Sequence, residues 1–129
     1  MQPAALEGAV IRGSDIEASQ SPFGGLKWLA NQYTVQGVEQ TFGVVFINPG
    51  QHNPLHYHPN CEELLYVLSG ECDHRLNDAV IRLGPGDLIH VPRGVHHNAT
   101  CTSWEPLRVI VSFSSADRQS VMLEGDRTY

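Results

Sequence analysis

The chain has 129 residues, 41% of them hydrophobic and 17% charged, with a formal net charge of −6. That size fits one domain with a core of its own, and the composition excludes a disordered chain. No apolar run approaches the ~18 residues of a membrane helix, and the eight basic residues are too scattered to form a nucleic-acid face. Residues 1–7 show neither the basic nor the apolar stretch of an export signal. Cys61, Cys72 and Cys101 then give no disulfide framework, so a reducing cytoplasm is expected. Lys27 is the sole lysine, which disfavours Schiff-base chemistry.

Along the chain, Ser14-Asp15-Ile16-Glu17 has capping-box form, but Ser21-Pro22 and Gly24-Gly25 limit any helix to a turn or two. Strand-like runs follow at 26–29, 41–47, 62–68, 71–76, 79–83, 87–91, 96–100 and 107–113. Between them lies turn chemistry: Asn48-Pro49-Gly50, Pro59-Asn60, Ser69-Gly70, Asn77-Asp78, Gly84-Pro85-Gly86, Pro92-Arg93-Gly94 and Glu105-Pro106. No helical window is long enough for a βαβ unit. Short antiparallel strands dispose of their edges by closing or doubling over. The expected fold is therefore all-β, an antiparallel β-barrel or jelly roll, with residues 1–129 as a single domain and the barrel at about 26–113. The polar ends, 1–22 and 114–129, are expected to be loose or to pair with a second subunit.

Seven histidines fall unevenly. His56 and His58, two apart, point to one face of a strand. Glu62-Glu63 opens the next strand, and His96-His97-Asn98 follows some thirty residues later. Three imidazoles and a carboxylate meeting inside a barrel make a transition-metal site, whereas without an ion their joint burial is costly.

Two spaced motifs carry this further. Gly50, His56-Tyr57-His58, Glu63 and Gly70 fit Gly-x5-His-x-His-x(3,4)-Glu-x6-Gly. Gly86, Pro92, Gly94 and His97 fit Gly-x5-Pro-x-Gly-x2-His-x3-Asn, with Cys101 standing in the last place. The chain thus closely resembles the cupin superfamily over residues 50–101, at nine of ten fixed positions. Chance agreement at nine positions is on the order of 10⁻¹² per placement. The resemblance selects Glu63 over Glu62 and His97 over His96, and implies His56, His58, Glu63 and His97 as ligands of one metal ion. It also implies a homodimer built on terminal edge strands.

Several residues outside the motifs invite a role. In Glu71-Cys72-Asp73-His74-Arg75-Leu76 the alternation turns Cys72, His74 and Leu76 inward, so His74 is either a core histidine bonded to a carbonyl or an acid/base group beside the metal. Glu62 and His96 read as exposed or as partners of the ligands, and the direction of His90 is open. His52 reads as a solvated loop residue, and Tyr57 points away from the two histidines beside it. Trp28, Phe42, Phe46, Tyr66 and Phe113 are expected in the core. Arg93 and Arg108 are either solvated or clamps for a substrate carboxylate. Cys61 and Cys72 read as packing residues.

Nitrogen-rich mixed ligation suits Fe, Mn, Ni, Co, Cu or Zn rather than Ca or Mg. A divalent ion on three neutral imidazoles and one carboxylate keeps a charge of +1, attracting an anionic or chelating oxygen ligand. The expected function is a small metalloenzyme, an oxygenase or an isomerase/lyase, acting on an enol, an oxo acid or a sugar derivative. The alternative is a non-catalytic small-molecule or sugar-binding cupin with a regulatory role.

Overall fold

A computed structural model describes residues 8–124. The chain forms β1 (Ser19–Ser21), β2 (Gly24–Ala30), β3 (Thr41–Ile47), β4 (His56–Tyr57), β5 (Glu63–Ser69), β6 (Cys72–Leu76), β7 (Ala79–Leu83), β8 (Leu88–Val91), β9 (His97–Cys101), β10 (Leu107–Phe113) and β11 (Val121–Met122). A single 3-10 turn at Gly13–Asp15 is all that comes of the capping-box signal. Among the described residues, no helix is long and apolar enough to cross a membrane.

The strands build two antiparallel sheets, one in the order β1-β2-β3-β10-β5-β8 and the other β11-β4-β9-β6-β7. They face each other as a jelly roll. No ladder joins the two among the described residues, so of the two expected forms the jelly roll holds and the closed barrel does not. Period-two alternation decides which side chains enter the gap. Thr41, Gly43, Val45 and Ile47 of β3 are buried, as are Leu107, Val109, Val111 and Phe113 of β10 and Leu65 and Val67 of β5. From the opposing sheet come Cys72, Leu83, Ala99 and Cys101. All three cysteines are buried and free, and burial raises the Cys61 thiol and pushes that of Cys72 up to about 12, so both pack as small apolar groups.

Four motif glycines, Gly50, Gly70, Gly86 and Gly94, have φ between 77° and 91°. Gly70 does a second job. A Cβ there would lie 2.6 Å from the Pro106 carbonyl oxygen and 2.8 Å from the Leu107 Cα, where the β5–β6 turn crosses the start of β10. Gly70→Ala should therefore combine left-handed strain with a backbone clash and lower stability by ~2–4 kcal/mol in denaturant titrations. A loss under ~1 kcal/mol would show that the turn moves aside freely.

Three expectations need correction. Tyr66 is 39% exposed and stands with Leu64 and Leu68 on the outer face of β5, because Leu65 and Val67 take the inward positions. Phe42 and Phe46 are half-buried on that same outer side of the sheet. The carboxy-terminal segment is not loose over its described part: β11 pairs with β4, and Met122 is buried. Residues 1–7 and 125–129, included in the expected loose ends, lie outside the described residues.

Candidate metal centre

The site is assembled from both sheets. His56 on β4 and His97 on β9 are direct cross-strand partners, which puts their Cβ atoms side by side on the inner face. His58 follows two residues after His56 and returns to that face. Glu63, the first residue of β5, reaches in from the opposite sheet. All four are buried, between 2% and 5% exposed. The ring centroids of His56 and His97 are 4.3 Å apart, and His58 lies 5.0 Å from each.

Hydrogen bonds fix which nitrogen of each ring faces the centre. His56 Nδ1 bonds the Pro54 carbonyl at 2.7 Å, His58 Nδ1 the Gln119 carbonyl at 2.9 Å, and His97 Nδ1 the Val95 carbonyl at 2.9 Å. A carbonyl oxygen only accepts, so each Nδ1 carries the proton and donates. The three Nε2 atoms are thereby turned toward the interior. One ligand nitrogen from each ring lies within 4.8 Å of the others. Two metal–nitrogen bonds of ~2.1 Å span about 4 Å, so small side-chain shifts bring all three onto one ion.

Glu63 completes the electrostatics. Its Oε1 accepts from His97 Nε2 at 2.9 Å and lies 3.3 Å from His58 Nε2, without the alignment of a hydrogen bond to it. His58 Nε2 is buried with no hydrogen-bond partner, as a metal-directed nitrogen should be. Burial alone would raise the Glu63 carboxyl, but the adjacent imidazoles of His58 and His97 override it and hold the group below the usual carboxylate range. Burial likewise opposes charge on His97, yet the bond to Glu63 wins and raises it. With both of its nitrogens donating, metal-free His97 is an imidazolium, and its Nε2 proton occupies the place a cation would take. His56 goes the other way: burial first, then the charges of His97 and His58, lower it to about 3. This donor set fits a divalent ion.

His74, on β6, is 1% exposed, and its ring stacks parallel to that of His97 at 6.1 Å. It lines a cavity of about 20 Å³ together with His56, Glu63 and His97, enough for about one water. Burial lowers it to about 4, and its Nδ1 has no aligned hydrogen-bond partner. The Glu63 charge and a backbone contact at Arg75 oppose that shift without overturning it.

The remaining candidates lie elsewhere. Glu62 is exposed and bonds His90 at 2.7 Å on the outer face, which settles the direction of His90. His96 is exposed and stacks on Tyr57 at 5.1 Å, behind the site. His52 is exposed, 3.6 Å from Glu124. Arg93 and Arg108 are exposed and do not line this cavity; Arg118 does. Cys101 faces the core and donates to the Glu105 carbonyl, away from the four ligands.

The segment 114–120, which sequence reasoning missed, is stitched across the site. Gln119 orients His58 through its carbonyl, and Ser120 Oγ lies 3.1 Å from the same Nδ1. Asn60 holds the segment at the Asp117 carbonyl and the Gln119 amide. Asn53 was missed as well: buried, it accepts the Ala99 amide through Oδ1 at 2.8 Å and steadies β9.

A family model described as "Cupin domain" matches residues 43–113, more than half of the chain. The chain is a cupin. This cupin is 32% identical over 107 residues to the rhicadhesin receptor of Pisum sativum, covering 76% of this chain and 49% of that one. It is 27% identical over 106 residues to the tetracenomycin polyketide synthase protein TcmJ of Streptomyces glaucescens, covering 82% and 71%. Among solved structures, the oxalate decarboxylase of Lactobacillus farciminis in its formate complex superposes with a TM-score of 0.79 at 20% identity, over 85% of this chain and 34% of that one. The oxalate decarboxylase of Bacillus subtilis, a protein with Mn(II) centres, gives 0.79 at 21% identity, over 95% and 37%. At those identities the likeness is one of fold. The cupin spans about half the length of the pea protein and little over a third of the decarboxylases.

Proposed function

We propose that this cupin holds one divalent transition-metal ion (Fe, Mn, Ni, Co, Cu or Zn) on His56, His58, Glu63 and His97. It acts there on an oxygen-rich small molecule such as an enol, an oxo acid or a sugar derivative, as an oxygenase or an isomerase/lyase. The observation that carries the reading is the shared tautomer: three Nδ1–H groups committed to backbone carbonyls, leaving three Nε2 atoms aimed at one buried point beside a carboxylate. Bound there, the ion supplies Lewis acidity toward a chelating oxygen ligand.

The protein's own groups set what that ligand is. Glu63 cancels one of the two metal charges, and the remainder favours an anionic oxygen donor. The 20 Å³ cavity admits little more than the coordinating end of such a ligand. His74 stays neutral at pH 7 with Nδ1 free of aligned bonds, so it can hold or pass a proton beside the bound ligand. The second reading is a cupin that binds its ligand at the same centre without turnover.

A homodimer and a reducing cytoplasmic setting belong to this proposal. Their support is the exposed apolar set Leu64, Tyr66, Leu68 and Leu88 and the three free cysteines.

Elemental analysis tests the reading. Protein purified without added metal, or reconstituted with each of the six ions in turn, should hold one ion per chain; failure with all of them would end it. Mass spectrometry of the co-purifying small molecule then separates the two readings, since a binding protein returns it unchanged.

A further inference from the structure

A second cavity, of about 160 Å³, adjoins the metal chamber. It is lined by Trp28, Asn31, Gln32, Tyr33, Asp117 and Arg118. Trp28 and Arg118 also line the inner chamber, so these two side chains form the partition between the two spaces. The outer wall joins two segments: the Gln32 amide donates to the Ala116 carbonyl at 3.0 Å, and Gln32 Nε2 donates to Asp117 Oδ1 at 3.0 Å.

Arg118 is held in this partition by its flat faces. Its guanidinium carbon sits 4.3 Å from the Trp28 ring centroid and 5.2 Å from that of Phe113, the residue against which His58 packs at 4.9 Å. Nη1 donates to Ser120 Oγ at 2.8 Å, and Ser120 in turn contacts His58 Nδ1. A guanidinium stacked on aromatic rings keeps its planar fork of donors oriented, and such a fork matches a carboxylate. The inner chamber is too small for more than a ligand's reacting end, so any larger ligand must reach past Trp28 and Arg118 with its bulk in the outer cavity.

We infer that Arg118 is the anion-pairing and charge-selecting residue of this site, and that the outer cavity receives the body of a small carboxylate or enolate anion. The inference rests on the metal-centre reading above. Arg118 adds a positive charge to the one left on the metal, and the outer cavity sets how long a tail the ligand carries.

The test compares the Co(II)-loaded wild-type protein with Arg118→Met, which keeps an apolar stem against Trp28, and with Arg118→Lys. Arg118→Gln replaces the methionine variant should that one not fold. Acetate, oxalate and the neutral analogue acetamide are titrated against the visible Co(II) spectrum, with metal content measured on the same samples. Arg118→Met should keep one ion per chain, bind the carboxylates ~10–100-fold more weakly and leave acetamide unchanged, since a hydrogen bond to a charged group is worth about that factor. Arg118→Lys should recover part of the loss. Carboxylate affinity unchanged at full metal content would overturn the role of Arg118 and leave the metal centre standing. Equal weakening of acetate and acetamide would also overturn it, marking Arg118 as packing alone. A wild-type protein that holds no ion would overturn the metal-centre reading and this inference together, and the metal assay identifies that outcome.

Discussion

His97→Ala should strip the protein of its metal and destabilise what remains. Mutations of groups that merely orient a ligand already weaken metal binding by ~10–100-fold, so loss of a ligand nitrogen should exceed ~100-fold. The second effect comes from Glu63. In the metal-free protein its carboxylate is 5% exposed and accepts its hydrogen bond from the His97 imidazolium. Removing that partner leaves a buried charge without its cation, a loss of about 3–5 kcal/mol. Adding Glu63→Gln to His97→Ala should recover most of the stability and none of the metal. The two readouts are metal content by mass spectrometry and the urea midpoint in chelator. A single variant that still held one ion per chain would remove His97 from the ligand set, and a double variant no more stable than the single would remove the Glu63 explanation.

Metal-free protein should also lose stability on mild acidification. His56 is lowered from 6.5 to about 3 and His74 from 6.5 to about 4, both chiefly by burial. Below pH 6.5 the unfolded chain takes up these protons and the folded chain does not. Stability therefore falls with pH by up to ~1.4 kcal/mol per unit for each group. Glu63 joins only below its ordinary value of 4.5: its lowered folded pKa gives stability that is present above that point and lost as pH drops further. His97 has the opposite sign. Its raised value contributes stability in full below 6.5 and loses it as pH climbs through the folded value, so the alkaline side weakens too. Urea titrations in chelator between pH 6.5 and 4.5 should show a loss of several kcal/mol, with a shallower slope in His74→Leu. A flat profile across that window would mean that neither ring is as dry as the structure places it.

Much of this site was legible because its geometry is local. His56-x-His58 shares a face by strand period alone, and Gly70, Gly86 and Gly94 mark turns where the backbone takes a left-handed step. The cavity-facing direction of His74 followed from the alternation of charged residues around it. What stayed hidden depends on distant partners. β1 and β11 run three and two residues, too short to carry a pattern, and exist because neighbouring strands supply their hydrogen bonds. Tyr66 looks like core by type, and only register against Val109 and Val111 shows that its neighbours took the inward places. Arg118, Gln119 and Ser120 sit in a polar stretch without a motif. Their meaning comes from contacts some sixty residues back along the chain, at His58.

That last dependence bears on how the protein is made. A ribosome releases His56, His58, Glu63 and His97 well before residues 119 and 120, yet His58 is aimed by the Gln119 carbonyl. A nascent chain therefore carries all four donor groups before it carries the carbonyl that sets the tautomer of His58. Ion capture in the native geometry becomes a late event, after translation has passed Ser120, and an ion taken up earlier would meet an imidazole still free to turn either nitrogen toward it.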